Sequence, residues 1–482
     1  MASLLRRRQA PRGRYTPNLW SVWIVAPVAL VVVGALAFGL YHGVYGLLAD
    51  AARSQRPRKP VNINDVIKTT VTVLTLVGAV LAGIYAYRKQ LLAEGDAHRA
   101  DADQLADRYT TAAEQLGHDQ AAVRLAGVYA LARLADDWQE QRQVCIDVLC
   151  AYLRMPYEPD LTAPGHKQGE REVRQTIIRV IRDHLQQPDT PDSWCSCNFD
   201  FTGATFDGGD FTRSHFQGIT SFHGAKFSGG RVNFDGARFS GGTVSFNRVQ
   251  FSGGTVLFTG AAFSGGTVLF GDAEFSDGQV SFSGATFSDG TISFDGAKFS
   301  GGTISFGISA GHLGARFSGG TVNFSGAEFS GGRVIFNKAQ FSRGKVHFNR
   351  ARFSGGTVNF HSAEFSGTRV IFNEAQFPGD SVSFALATFS NERISFNGAT
   401  FSGGTVNFFS ATFSGSAVSF NRGAEFSAGT VIFNGATFSG GTVDFDTAIH
   451  TGTNVTLDNA TFSGTTIQWG PFPQPAGYLR QP

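Results

Sequence analysis

The chain has 482 residues, 42% of them hydrophobic, and a formal net charge of +2 from 40 Lys and Arg against 38 Asp and Glu. So even a balance excludes a chain built as a polyanion or polycation and argues against nucleic acid as a partner. Four Cys are too few to staple a chain this long, which favours a reducing compartment, and 45 of the 46 Phe lie at or after Phe199, so the chain has to be read in pieces.

Residues 1–18 form a basic tail carrying Arg6, Arg7, Arg8, Arg12 and Arg14. No Asp, Glu, Lys or Arg occurs from Leu19 to Ala49, and Thr69 to Tyr87 is a second uncharged stretch, ending on Tyr85, Tyr87, Arg88 and Lys89. About 20 apolar residues at 1.5 Å each cross a ~30 Å hydrocarbon core, and aromatic and basic residues mark its edge. Residues 19–89 are therefore expected to be two transmembrane helices with a loop, making the lipid bilayer a first partner. A hairpin places the tail, Arg88, Lys89 and Arg99 on one side, against Arg53, Arg56, Arg58, Lys59 and Lys68 in the loop. The positive-inside rule then predicts a multi-pass plasma-membrane protein whose C-terminal domain is cytoplasmic.

Residues 90–190 have helical periodicity. Leu125, Val128, Tyr129 and Ala132 form one stripe, Cys145, Val148, Leu149 and Tyr152 a second, and Val173, Ile177, Ile181 and Leu185 a third. Pro156, Pro159 and Pro188 punctuate them, giving a small α-helical connector. Cys145 and Cys150 stand about 140° apart on a helix, and Cys195 and Cys197 share a strand face with no further ligand at metal spacing. No metal site is expected.

Beyond residue 195 the pattern changes. Phe201, Phe206, Phe211 and Phe216 are spaced by five, with small residues Ala204, Gly209 and Ser214 each two places before a Phe. This resembles the pentapeptide-repeat family, in which both residues point inward. The resemblance implies a right-handed, four-sided parallel β-helix with roughly 20 residues per turn. The connector run Asp107-Arg-Tyr-Thr-Thr-Ala-Ala-Glu-Gln-Leu-Gly likewise resembles a segment found ahead of such arrays in membrane-anchored bacterial proteins.

From Ala225 the period becomes twelve, Ala-x-Phe-Ser-Gly-Gly-Thr-Val-x-Phe-x-Gly, in alternating steps of five and seven, with a six-residue expansion around Gly307 to Gly314. Val and Phe alternate, then Ala and Phe, which is strand periodicity in two short pieces. Residues 195–470 are assigned to the all-β solenoid and 471–482 to a C-terminal tail. A twelve-residue turn would have to close around two Phe, whereas a 24-residue turn has eight inward residues including four Phe, the inward number of the pentapeptide coil. The longer turn is preferred. It makes Glu274, Lys298, Glu328 and Arg352 a column of alternating charge and puts residue 286 on the opposite side. Near the end His450, Leu457 and Trp469 replace Phe, and Pro471-Phe-Pro-Gln-Pro stops further strand addition.

No catalytic, cofactor-binding or metal-binding residue stands out. Asp235, Glu274, Asp295 and Glu328 recur singly, and neither a phosphate loop nor a nucleophile elbow occurs. A non-catalytic, membrane-tethered interaction or scaffold protein with a protein partner is expected. Two alternatives remain. One subset of the family protects DNA gyrase by imitating DNA, which requires an acidic surface, yet from Asp200 onward 18 acidic residues face 17 basic ones. The run Arg333, Lys338, Arg343, Lys345, Arg350 and Arg352 could instead meet anionic lipid headgroups, although Glu328 and Glu364 flank it.

Overall fold

The computed structural model describes residues 22–54, 62–308, 313–379, 381–390 and 393–474. The basic tail, the loop residues Arg56, Arg58 and Lys59, and residues 475–482 lie outside them. The chain divides into two compact units, one up to Gln104 and one from Leu105 onward.

In the first unit, α1 spans Val22–Ser54 and α2 begins at Ile63 and ends at Leu116. Among the described residues a single helical segment, Ile63–Gln90, with mean hydropathy 1.8, is long and apolar enough to cross a membrane. This corrects the two-span, multi-pass expectation. Each span needs its own run of about 20 apolar helical residues. The first three residues of the first uncharged stretch, 19–21, lie outside the described residues, and α1 continues past that stretch through Asp50 and Arg53 to Ser54. With one such segment among the described residues, the two groups of positive residues no longer bracket a hairpin, and the cytoplasmic placement derived from them falls as well.

The second unit begins as a helical bundle. The end of α2, α3 (Ala121–Asp137), α4 (Arg142–Arg154) and α5 (Glu170–Leu185) bury Leu116, Val128, Leu131, Leu149, Val173, Ile177 and Ile181. The first stripe is rotated from its expected position: Tyr129 is exposed, while Leu131, Leu134 and Ala135 are buried. Gly127 explains the geometry, since a Cβ there would come within 2.5 Å of the Leu116 backbone nitrogen, so α3 can lie directly against the end of α2. The four Cys are free, and burial pushes the Cys145 thiol up to about 11.

A parallel β-solenoid follows. Glu274 pairs with Lys298 and Phe275 with Phe299, and the ladder continues through Glu328 to Arg352. Thr286 lies in the other sheet, between Ala262 and Arg316. One turn is therefore 24 residues, and the twelve-residue turn is excluded. Each turn contributes four short strand segments, Ala-x-Phe and Thr-Val-x from each of two units, to two sheets. The pentad region makes a shorter first coil, Thr205 pairing with Lys226 and His215 with Arg238. The irregularities in that ladder fall at Asp207 to Gly209, opposite the Ser-Gly-Gly corner of the next coil. Across the expansion Thr286 pairs with Arg316, yet the Ala315 amide still donates to Phe306 O at 2.7 Å. The insertion therefore leaves the ordinary turn closed and the ladders in register.

The interior is made of four columns of Phe. Phe222, Phe246, Phe270 and Phe294 stack with ring centroids 4.7–4.8 Å apart, and the Phe227, Phe234 and Phe239 columns repeat this. Strand separation sets that spacing. Across the lumen the rings meet edge to face, as in Phe270 and Phe282 at 5.9 Å and 89°, an arrangement that places a positive ring edge on a negative face. Val and Ala fill the remaining inward positions. At the first coil, Gln143 of α4 exchanges two hydrogen bonds with the Asn198 backbone, and Arg154, Arg171 and Arg182 reach Asp200, Asp207 and Asp210. The helices therefore cover the strand edges of that coil.

Candidate interaction surface

The inward residues are nearly the same from coil to coil, so most chemical variety falls on the outward positions. These form ladders with one residue per coil, and three kinds of surface result. In the column Glu274, Lys298, Glu328, Arg352 charges alternate, with Lys298 Nζ 3.8 Å from Glu274 and Arg352 donating to Gln376 at 2.7 Å. In the turns before each Ala, Arg248 lies 3.8 Å from Asp272, and Arg350 bonds Glu374 at 2.7 Å. A third column, Thr243, Thr267, Thr291 and Thr321, begins neutral.

That third column then changes character. Thr321 pairs with Lys345, Lys345 with Arg369, and Arg369 with Arg393, so three exposed cations occupy successive coils. None of the three has an ion-pair partner among the described residues. Arg343 stands at the adjoining corner, exposed, with φ of 61°, where other units have Gly. Burial, reinforced by the charges of Lys345 and Arg369, holds the His347 imidazole below its usual range. The nearest ladder on the same sheet runs Gln340, Glu364, Thr388, and its one carboxylate accepts from Gln340 Nε2 at 3.2 Å.

The basic run read along the sequence is thus taken apart by the coil. Arg333 and Arg352 belong to the opposite sheet, Lys338 and Arg350 to turns, and only Arg343 and Lys345 join the basic column. Arg369 and Arg393 were missed, because spacings of 24 become meaningful only once the turn length is known. Of the carboxylates, Glu274 and Glu328 share one column, whereas Asp235 accepts from the Thr259 amide at 3.1 Å in another turn. Among the described residues no cluster of three His, Cys, Asp or Glu could hold a metal ion.

Residues 201–250 match the family described as pentapeptide repeats (9 copies). This segment is similar to the pentapeptide-repeat family. The match covers the strict pentads and the first two twelve-residue units, the region where 21-residue pairing gives way to 24. Comparison with curated proteins and with solved structures gave no match. In pentapeptide-repeat terms each twelve-residue unit is two pentads with two residues added at the Ser-Gly-Gly corner. The inward Phe and small-residue pattern survives the addition.

Proposed function

We propose that this protein is a non-catalytic interaction scaffold, tethered to a membrane by the single apolar segment Ile63–Gln90, whose partner is a protein bound on the solenoid's outer face. The observation that carries this reading is the division of labour along the rod. Inward residues are near-invariant from coil to coil, while outward residues vary without converging on a reactive group. Four strand ladders per turn support a four-sided coil, and the pentapeptide family favours its right-handedness. Crosslinking from native membranes followed by identification of the captured chains tests the scaffold. Deleting residues 63–90 should release the protein into the soluble fraction, and retention in the membrane would remove the tether from the proposal.

One observation favours a second reading, an anionic-lipid surface. Like charges on neighbouring strands are unfavourable, yet Lys345, Arg369 and Arg393 are stacked with no ion-pair partner among the described residues. Basic residues near an anionic bilayer gain about 1 kcal/mol each. Residues 105–482 should then bind phosphatidylserine vesicles more tightly than phosphatidylcholine vesicles, in a salt-sensitive way. Arg369→Thr with Arg393→Thr should weaken that binding about 10- to 30-fold. A gyrase-type modulator has less support, since among the described residues no outward column is acidic along its length.

A further inference from the structure

The basic column is a bounded feature. Thr321 precedes Lys345, Arg369 and Arg393, and Ala417 and Thr442 follow them, so the cations occupy three successive coils. Building on the scaffold reading, we propose that this stripe docks the acidic face of a short helix of the protein partner, with carboxylates at positions i, i+3 and i+7.

All three cations are exposed, and among the described residues none reaches a carboxylate. Arg343 adds a fourth. Its Cγ lies 3.9 Å from the point where a Cβ on Gly367 would stand, so its stem leans over the corner of the coil that carries Arg369. Most units carry Thr at the column position, and like charges on neighbouring strands repel. The stacked cations therefore add nothing to the solenoid itself and leave their charge for an anionic partner. Two residues further along the same strands run His347, Ile371 and Ser395. Ile371 is half-buried and offers an apolar contact beside the charges.

Spacing selects the shape of the occupant. Strand separation puts the three charges at about 0, 4.8 and 9.6 Å along the rod. Residues i, i+3 and i+7 share one face of an α-helix at about 0, 4.5 and 10.5 Å of rise. The two series agree to within about 1 Å, which the long Lys and Arg side chains absorb. An extended strand lying along the rod repeats each face at about 6.7 Å, so its third carboxylate overshoots by about 4 Å. An anionic bilayer presents a plane of charge, whereas this stripe is one residue wide, with Glu364 in the neighbouring ladder and Ile371 on its other side.

The probe is a capped, Ala-rich helical peptide bearing Glu at i, i+3 and i+7 and Leu on the adjoining face. It is titrated at low salt against the full-length chain in phosphatidylcholine nanodiscs and followed by peptide-observed NMR, with empty nanodiscs as blank. Saturable binding is expected, weaker by about tenfold or more when the same residues are reordered to spread Glu around the helix. Arg369→Thr should weaken binding about three- to fivefold, and Lys345→Thr, Arg369→Thr and Arg393→Thr together should abolish it. Arg333→Thr removes an exposed cation from the opposite sheet and should leave binding unchanged. Thr is the residue most units carry at all four positions, so these variants keep the fold. Equal binding of the reordered helix, an equal loss in Arg333→Thr, or no saturable binding would each overturn the helix-docking stripe. Phosphatidylserine vesicles that bind through the column while the helix does not would assign the column to lipid and overturn it too. Capture of the same crosslinked protein by wild type and the triple variant would overturn the stripe and leave the scaffold standing, because the partner would then sit elsewhere on the rod.

Discussion

At the scale of single residues, two glycines with almost the same backbone conformation have different obligations. Gly254 and Gly260 have φ of 68° and 63°. A Cβ on Gly260 would meet nothing within 4 Å, and the equivalent turn positions hold Arg248, Lys338, Glu374 and Leu386 at similar φ. A Cβ on Gly254 would lie 2.4 Å from the carbonyl oxygen of Gly230 in the preceding coil. Gly260→Ala should cost about 1–2 kcal/mol, the left-handed penalty alone. Gly254→Ala should cost a further 1–3 kcal/mol or so, because the coils must move apart; urea midpoints of the two variants check the order. Face assignment is testable the same way. Phe341 is 1% exposed inside its column and Thr357 is exposed on the outer ladder. Phe341→Ala should cost about 3–5 kcal/mol, while Thr357→Ala should stay within about ±0.5 kcal/mol.

At the scale of the element, a ladder links each residue to those one turn away in either direction, so charge order along a column matters more than composition. The alternating column Glu274, Lys298, Glu328, Arg352 and the repeated-sign column Lys345, Arg369, Arg393 illustrate the two cases. Arg369→Thr restores the residue most units carry there and relieves two like-charge neighbours at once. It should stabilise the solenoid by about 0.2–1 kcal/mol per relieved pair at low ionic strength. The gain should shrink in high salt, because the pairs are exposed and screened. Denaturation curves of wild type and variant at low and high salt measure this. A loss of stability at low salt would mean that the column is held by a partner within the chain.

At the scale of the whole molecule, a solenoid is stable only where its ends are closed, since each coil is supported by its neighbours. At the start of the array, Trp194 stacks on His184 at 4.1 Å and donates to Asp136 at 3.1 Å, binding the helices to the first coil. At the far end the Pro-flanked Phe472 turns back beneath the array. It packs edge-on against Phe426 and Phe445, both at 5.1 Å, and lies beside His450, the residue that replaces Phe in its column. Phe472→Ala should therefore fray the end rather than unfold the rod. Amide exchange should accelerate within residues 449–468 and stay unchanged around Phe294. Acceleration spread evenly along the array would mean that the rod unfolds as one unit and that Phe472 is no local plug.

Much of this protein is written in its sequence, because the solenoid repeats one local solution. The alternation of Val with Phe and Ala with Phe specifies strands and their inner face, and the self-similar period specifies stacking before any contact is known. The four inward Phe per turn, the columns and the decaying last units were legible for that reason. The pair of membrane spans was not sustained: among the described residues only Ile63–Gln90 is long and apolar enough to cross a membrane. The basic column and the buried Arg124–Glu170 pair were invisible for a different reason. Lys345, Arg369 and Arg393 become neighbours only when 24 residues close a turn, and Arg124 and Glu170 meet only when α3 and α5 pack. Local periodicity determined which residues turn inward and how the chain repeats; packing between distant residues decided which charges meet, because charge pairing depends on distances in space that sequence separation does not encode.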